Sequence, residues 1–162
     1  MTFLRHRLLR AVTTRARPVL GPARDPDAPA IGAILSDWID ETDWMPRIHK
    51  REDEQAFAAD LVARGWVTVA RRRGEVVGFL ARDGAEVVAL YVAHSARGQG
   101  VGTALLARAK RRSPRLALWT FQFNRAAQAF YAAQGFREVA RTGGAGNDEK
   151  LPDIRYQWER HR

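Results

Sequence analysis

A glycine-rich segment between an apolar strand pattern and a helical pattern contains the residue types that most directly indicate chemistry in this chain. The segment is Arg97-Gly98-Gln99-Gly100-Val101-Gly102, and Thr103 follows it. Glycines let main-chain N–H groups approach an anion without hindrance from a Cβ atom, and a helix that begins here directs the positive end of its dipole at the same point. The segment predicts a phosphate-binding loop, to which the Arg97 guanidinium can contribute.

Two other nucleotide-binding motifs do not match this segment. A Walker loop ends in Gly-Lys-Ser or Gly-Lys-Thr, whereas the sequence Gly102-Thr103-Ala104 has no lysine. The dinucleotide fingerprint needs the spacing Gly-x-Gly-x-x-Gly, which the glycines at 98, 100 and 102 do not give.

A second motif follows the predicted fifth strand. Asn124 is placed to cap a helix, Tyr131 lies seven residues further on, and Gly135-Phe136 follows the helix. Seven residues make two helical turns, so Asn124 and Tyr131 are expected on one side of this helix, where both can face the same ligand.

Together, Arg-x-x-Gly-x-Gly and the Asn124–Tyr131 segment resemble the signatures of the GCN5-related N-acetyltransferase (GNAT) superfamily, as a small acetyltransferase of bacterial type. The resemblance covers nearly the whole chain from about Arg17. It implies acetyl-CoA as co-substrate, no metal, and a pyrophosphate held by residues 97–103. It also implies that main-chain groups of the fourth strand bind the pantetheine arm and that the Val92 N–H stabilises the oxyanion; the strand residues concerned are Leu90, Tyr91 and Val92.

Acetyl transfer from a thioester needs a proton for the departing thiolate and an unprotonated amine. A phenol with a pKa near 10 suits a thiol leaving group, which makes Tyr131 the predicted general acid; a core tyrosine whose hydroxyl bonds main chain is the alternative. Glu86 shares strand parity with Val92 and resembles the catalytic glutamate of histone acetyltransferases, so it is the predicted base. His49, Asp43 and an ordered water remain open as alternatives.

Two segments are predicted to flank the acceptor amine. The first is a loop rich in large side chains after the first helix, and its candidate residues are Trp44, Met45, Arg47 and His49. The second is the mobile glycine-rich loop near the C-terminus, with Asn147, Glu149 and Asp153. Acidic residues would favour an ammonium group and Arg47 a carboxylate, so an amino acid or another small-molecule amine suits both. No residue here matches a motif that defines a substrate.

Composition places bounds on these interpretations. The chain has 162 residues, a net charge of +9 and no cysteine, so it has room for one core and cannot form a disulfide or a cysteine acyl-enzyme. Residues 1–24 hold six arginines and no acid, so much of the basicity belongs to the leading segment. We predict a basic, flexible extension over 1–16, an acetyltransferase domain over 17–162, no membrane segment, and a cytoplasmic protein. The four histidines are too scattered to suggest a metal site.

The hydrophobic periodicity predicts the fold class as α/β, with a single mixed, mostly antiparallel sheet of six to seven strands and about four helices. The predicted helices cover 27–41, 52–64, 101–112 and 125–134. The run Val87–Val92 is apolar on both faces and predicts a central strand. The resemblance to this superfamily implies that the last strand can mediate a homodimer.

The resulting hypothesis is direct acetyl transfer to a primary amine in a ternary complex. A non-catalytic acyl-CoA-binding sensor is the main alternative. A nucleic-acid-binding module based on the Arg-rich leader and residues 108–112 is disfavoured, because no aromatic residues alternate with those basic runs.

Overall fold

The computed structural model describes residues 16–162, which alternate between strands and helices in the predicted order. The strands are Val19–Pro22 (β1), Val67–Arg72 (β2), Glu75–Asp83 (β3), Glu86–Val92 (β4), Arg115–Phe121 (β5), Arg137–Thr142 (β6) and Asp153–Glu159 (β7). The helices are Ala28–Glu41 (α1), Arg51–Ala63 (α2), Val101–Arg112 (α3) and Arg125–Ala133 (α4). The predicted fold class is therefore confirmed, with seven strands and four helices in the described residues. The predicted extension, apart from Ala16, lies outside them.

The seven strands form one sheet in the order β1-β2-β3-β4-β5-β7-β6. Neighbouring strands are antiparallel except for β4 and β5, which run parallel and pair only at Glu86 and Ala117. Beyond this pair the two strands separate, and a cleft opens in the middle of the sheet. β4 is the central strand, as its doubly apolar pattern predicted.

Helices cover both faces of the sheet and enclose two hydrophobic clusters. On one face, α3 and α4 contribute Leu105, Leu106 and Tyr131 to a cluster with β5 and β7. On the other face, α1 and α2 bury Ile31 and Leu61 against β2 and β3. The cleft between β4 and β5 therefore has a different pair of helices on each side.

A β-bulge changes which side chains of β4 share a face. Ala81 of β3 pairs with Ala89, but the next residue, Arg82, pairs with Val87, so β4 has one extra residue at this point. As a result Val87 packs in the same cluster as Leu90, although the two positions differ by three and would lie on opposite faces of a regular strand.

Candidate active site

The cleft between β4 and β5 is a cavity of about 600 Å³. The two separated strands form its walls, and the first turn of α3 and the inner side of α4 close it on one face. Most of the predicted cofactor residues line it, namely Leu90, Tyr91, Val92, Arg97, Gly98, Gly100, Val101, Gly102, Thr103, Asn124 and Tyr131. Two motifs separated in the sequence thus meet around one cavity.

The glycine loop, residues 97–103, borders this cavity, and we call it the cradle. Gly98 and Gly100 have φ angles of +69° and +84°, a left-handed conformation that glycine adopts without strain. Gly100 is the N-cap residue of α3, and no side chain caps the helix. The first N–H groups of a helix have no intrahelical acceptor, so those of Val101, Gly102 and Thr103 remain available to an anion.

Two further glycines let the main chain and neighbouring side chains come close around the cradle. A Cβ atom at Gly102 would lie 3.4 Å from the ring of Phe130 on α4. At Gly78 on β3 it would lie 2.9 Å from the Val101 side chain, so only glycine lets α3 start this close to the sheet. Gly78 was not among the predicted site residues, because its role depends on a neighbour distant in sequence.

The polar side chains of the loop hold its shape. Arg97 donates from Nε to the Val92 carbonyl oxygen over 3.1 Å and forms an ion pair with Glu41 of α1. Gln99 does not line the cavity; it donates to the Ser95 carbonyl oxygen over 2.9 Å and accepts from Arg72. Thr103 accepts a hydrogen bond from Gln134 over 3.1 Å. Gln99 can therefore reach a phosphate only through its main chain.

The register of β4 decides which of its main-chain groups face the cleft. The Ala93 N–H donates to the Val77 carbonyl oxygen of β3 over 2.8 Å, and in an antiparallel ladder alternate residues face the same neighbour. The N–H groups of Leu90 and Val92 therefore point into the cleft. Tyr91 is opposite Phe79, and its main chain faces β3. The prediction for Tyr91 is thus corrected: it can contribute its side chain but not its main chain.

Tyr131 lies in an aromatic environment at the inner side of α4. It is 8% exposed and lies edge-on to Phe130 and Phe136, with ring centroids 5.2 and 5.4 Å apart. None of the hydrogen bonds among residues 16–162 involves its hydroxyl, and Tyr131 lines the cavity. Burial, with a smaller contribution from Tyr91, raises the pKa of Tyr131 above its usual range, so the phenol keeps its proton at neutral pH.

Asn124 has a structural role at the start of the same helix. Its Oδ1 accepts from the Ala127 N–H over 3.0 Å, which caps α4. By capping α4, Asn124 helps to fix the helix that carries Tyr131. Asn124 also lines the cavity, and its side-chain Nδ2 remains to donate to a ligand.

Tyr91 contributes a second phenol, which is partly buried. Its ring packs against Phe79 and Trp38 on the face of the sheet covered by α1. Burial, together with the negative charge of Glu149, raises the pKa of Tyr91 to about 12. Glu149 belongs to the second of the two loops that are predicted to flank the acceptor.

Glu86 is not placed as the predicted base. Because of the bulge in β4, it shares a face with Ala89 and Tyr91 rather than with Val92, so the parity argument was wrong. Its carboxylate accepts two hydrogen bonds from Arg155 of β7, at 2.6 and 2.7 Å, and it does not line the cavity. Arg155 in turn stacks on Trp119, with its guanidinium carbon 5.3 Å from the ring centroid.

The two predicted acceptor loops approach each other. His49, in the loop between α1 and α2, has its Nε2 atom 3.8 Å from the carboxylate of Asp148 in the loop between β6 and β7. Trp44 packs against Phe121 and Phe123 at the end of β5, with ring centroids 5.8 and 6.1 Å away. Trp44 of the first loop, with Phe121 and Phe123 from the end of β5, thus forms an aromatic wall beside the cleft, in which Phe123 is 55% exposed.

Two predicted acceptor residues are occupied by structural interactions. Arg47 donates to Glu54 at 2.7 and 2.8 Å and to the Ser36 carbonyl oxygen at 3.1 Å, and it pairs with Asp40. Asn147 donates to the Leu151 carbonyl oxygen at 2.7 Å and to Asp153 at 3.1 Å. These side chains fix the two loops and do not line the cleft. The predicted role in acceptor binding did not take account of these hydrogen-bond partners, which the sequence alone does not reveal.

Among residues 16–162, no group of three or more histidine or acidic side chains is arranged to hold a metal ion. No helix in the same range has both the length and the apolar character needed to cross a membrane.

Comparisons with known proteins agree with this architecture. The family model described as acetyltransferase (GNAT) domain matches residues 63–138, which include the cradle, β5 and Tyr131. The peptidyl-lysine N-acetyltransferase YiaC of Escherichia coli is 31% identical over 125 residues, covering 72% of this chain and 83% of the relative.

Solved structures show the same fold. Apo-form YjaB from Escherichia coli has a TM-score of 0.75 and 22% identity, over 90% of this chain and 100% of that one. The protein yncA from Salmonella typhimurium, solved with its cofactor acetyl-CoA, has a TM-score of 0.69 and 21% identity, over 91% and 96% of the two chains.

The sheet opens between two parallel strands, and the glycine loop borders the opening. The comparisons place a chain with these features in a class of acyl-transferring enzymes. Within that class, this chain belongs to the GNAT acetyltransferase family.

Proposed function

We propose that this protein transfers the acetyl group of acetyl-CoA to a primary amine by direct attack within a ternary complex. The observation that carries the proposal is that one cavity contains the uncapped start of α3, the main-chain N–H of Val92 and the buried Tyr131. The co-substrate supplies an activated acetyl thioester; binding, orientation and proton supply come from the chain's own residues.

The cradle suits the pyrophosphate of that co-substrate. The N–H groups of residues 101–103 have no intrahelical acceptor and lie at the positive end of the α3 dipole. A Cβ atom at Gly98 or Gly100 would meet nothing within 4 Å. The N–H of Leu90 and Val92 can bind an extended arm along β4, and the Val92 N–H can stabilise charge that develops on the acetyl oxygen.

Tyr131 is proposed to protonate the departing thiolate, because its raised pKa keeps a proton on the phenol in the aromatic pocket. Proton removal from the amine is assigned to solvent. The cavity lining within the described residues contains no carboxylate and no histidine, and neither Glu86 nor His49 belongs to it. Asp43, also weighed as a base, is exposed on the loop outside the cavity.

Two acceptor classes are proposed for direct comparison. A free amino acid or small amine was expected from the mixed charges of the two loops. The relative named peptidyl-lysine N-acetyltransferase favours a lysine side chain, and the exposed aromatic wall of Trp44 and Phe123 could hold the aliphatic stem of such a side chain. A cytoplasmic location and a homodimer remain part of the same proposal.

The decisive experiment is calorimetric titration of acetyl-CoA into the wild-type protein, Gly102→Glu and Gly102→Gln. Both variants add similar bulk at a helical position, but only one adds a negative charge to the cradle. We expect micromolar binding by the wild type and binding at least tenfold weaker in Gly102→Glu than in Gly102→Gln. Equal affinities in the two variants would contradict the cradle assignment.

Acetyl transfer is then measured by release of free thiol with a lysine-containing peptide, free amino acids and small amines. Turnover of any of them supports the enzyme. Tight acetyl-CoA binding without turnover of any amine would favour the acyl-CoA-binding sensor instead.

A further inference from the structure

A second cavity lies on the face of the sheet covered by α3, beside the C-terminal half of that helix. It measures about 470 Å³ and is bounded by β2, β3 and the turns that flank them. Three arginines from two different elements line it: Arg82 of β3, and Arg108 and Arg112 of α3. The acetyl-CoA cavity uses the first turn of α3, so the helix contributes to two distinct sites.

The three arginines lack acidic partners. The ion pairs that arginines form with carboxylates in residues 16–162 use other side chains, namely Arg47, Arg51, Arg64, Arg71, Arg97, Arg141 and Arg155. Residues 1–15 contain no aspartate or glutamate, so the leading segment has no acidic side chain to supply. Three cationic groups therefore line one cavity without a neutralising side chain.

Arg108 also has an unsatisfied polar atom. Its Nε is buried and has no hydrogen-bond partner in the described residues, whereas Arg82 donates to the Gly84 carbonyl oxygen over 2.7 Å. A buried donor without an acceptor is costly, so a site of this kind favours a ligand that provides one. Burial and the nearby charges of Arg112 and Arg111 lower the pKa of Arg108, as expected for like charges held together.

The helix dipole does not explain this cluster. Basic residues are favoured in the last turn of a helix, which accounts for Lys110, Arg111 and Arg112. Lys110 also donates to the Gln134 carbonyl oxygen over 2.6 Å. Neither reason applies to Arg82 on the neighbouring strand or to the unpartnered Nε of Arg108.

We propose that the second cavity binds a multivalent phosphate-bearing anion, with Arg82, Arg108 and Arg112 as its ligands. Guanidinium groups match phosphate oxygens in geometry and keep their charge when partly buried. A single carboxylate would leave most of the positive charge uncompensated, whereas a polyphosphate neutralises all three groups. The cavity is concave and built by side chains from two elements, which favours a compact ligand over a surface-bound polymer.

The test is calorimetric titration of inorganic tripolyphosphate in phosphate-free buffer at about 0.1 M salt, where exposed charges are largely screened. Tripolyphosphate could also bind at the cradle, so the titration uses two forms of the protein in which the cradle is blocked. The first is the wild type saturated with acetyl-CoA, and the second is Gly102→Glu without acetyl-CoA. The second form needs no acetyl-CoA binding, so the result stands whether or not the proposed function holds. Variants Arg82→Gln and Arg108→Gln are compared with Arg137→Gln, which removes the same charge from an exposed position on β6.

We expect saturable binding with one site, weakened at least tenfold in Arg82→Gln and in Arg108→Gln and less than twofold in Arg137→Gln. Circular dichroism of each variant checks its fold, and Arg108→Lys provides a second test because it keeps the charge but loses the planar donors. Absence of binding, or equal weakening by Arg137→Gln, would overturn the proposal.

A fluorescent single-stranded RNA of about 12 nucleotides distinguishes the source of the phosphate. Displacement of the RNA by tripolyphosphate, with the same loss in Arg108→Gln, would identify nucleic acid as one source for this site. RNA binding that is insensitive to Arg82→Gln and Arg108→Gln, in a protein that does not bind tripolyphosphate, would instead indicate a diffuse basic surface and refute the cavity site.

Discussion

The phenol of Tyr131 is the residue on which the proposed proton transfer depends. Replacing it by phenylalanine removes one hydroxyl that has no hydrogen-bond partner in the described residues, and it leaves the ring in its aromatic pocket. We therefore expect the free energy of unfolding to stay within about 0.5 kcal/mol of the wild type, while kcat falls by about 10²- to 10⁴-fold. Steady-state kinetics and urea denaturation measure the two quantities.

The pKa of Tyr131 also determines how kcat should depend on pH in the alkaline range. An acid must carry its proton, and burial raises the pKa of Tyr131 above that of an ordinary phenol. Deprotonation of Tyr131 should therefore cause no loss of kcat up to about pH 10, the usual phenol pKa. A decline centred well below pH 10 that disappears in Tyr131→Phe would show that the phenol is less shielded than the structure indicates.

At this scale the sequence predicted which residues line the cavity where local spacing decides their placement. The cradle glycines and Tyr131 lie within single motifs, and helix geometry alone brings Asn124 and Tyr131 to one side. The roles predicted for Glu86, Arg47 and Asn147 were not supported, because a bulge or a distant partner decides where each side chain points. Such partners are far apart in the sequence and have no local signature.

The loop between α1 and α2 is held to its helices by one buried acid. Glu54 of α2 is 5% exposed, accepts from the Ser36 hydroxyl over 2.5 Å and receives two hydrogen bonds from Arg47 in the loop. This single side chain joins α1, α2 and the segment that carries Trp44 and His49.

Glu54→Ala should therefore destabilise the protein and loosen the acceptor side. Breaking a buried ion pair leaves its partner uncompensated, and because Arg47 keeps 31% of its side chain exposed we expect a loss of about 2 kcal/mol. The KM for the acceptor should rise several-fold and the Kd for acetyl-CoA should change little. Glu52→Ala, which removes an exposed acid two residues earlier in α2, is the matched control. An equal effect of both variants on the acceptor KM would contradict this role of Glu54.

The elements themselves were largely predictable. Amphipathic spacing, Gly65 after α2 and Ser113-Pro114 after α3 mark helix ends closely, and α3 has the predicted bounds. The position of β7 between β5 and β6 depends on tertiary structure. β7 pairs with β5, although α4 and β6 lie between these two strands in the sequence. No local pattern specifies that neighbour.

The whole molecule combines a sheet with two differently covered faces and a large excess of positive charge. As pH falls, protonation of the 18 acidic residues leaves 27 lysine and arginine residues without compensation. Repulsion then adds to the loss of specific ion pairs, so the acid side of the stability curve should be steep at low salt and shallower at high salt.

Protonation of Asp27 should contribute most clearly to the loss of stability at low pH. It is 8% exposed, it accepts from Arg71 of β2 at 2.8 Å and from the Arg24 N–H at 2.8 Å, and it joins the start of α1 to the sheet. The hydrogen bonds from Arg71 hold the pKa of Asp27 below its usual range, although burial opposes them. A depressed pKa in the folded state means that the stabilisation is present above the unfolded pKa of about 4 and is lost as pH falls below it.

We therefore expect Asp27→Asn to be less stable than the wild type by about 1–3 kcal/mol at pH 7, with the difference shrinking below about pH 4. Urea denaturation from pH 7 to pH 2.5, at about 0.05 M and 0.5 M salt, measures both the general charge repulsion and the contribution of the Asp27 carboxylate. High salt should reduce the general repulsion in both proteins but preserve much of their difference, because only 10% of the Asp27 side chain is exposed to solvent. Curves that stay parallel down to pH 2.5 would show that the Asp27 carboxylate is not the group that titrates in this limb.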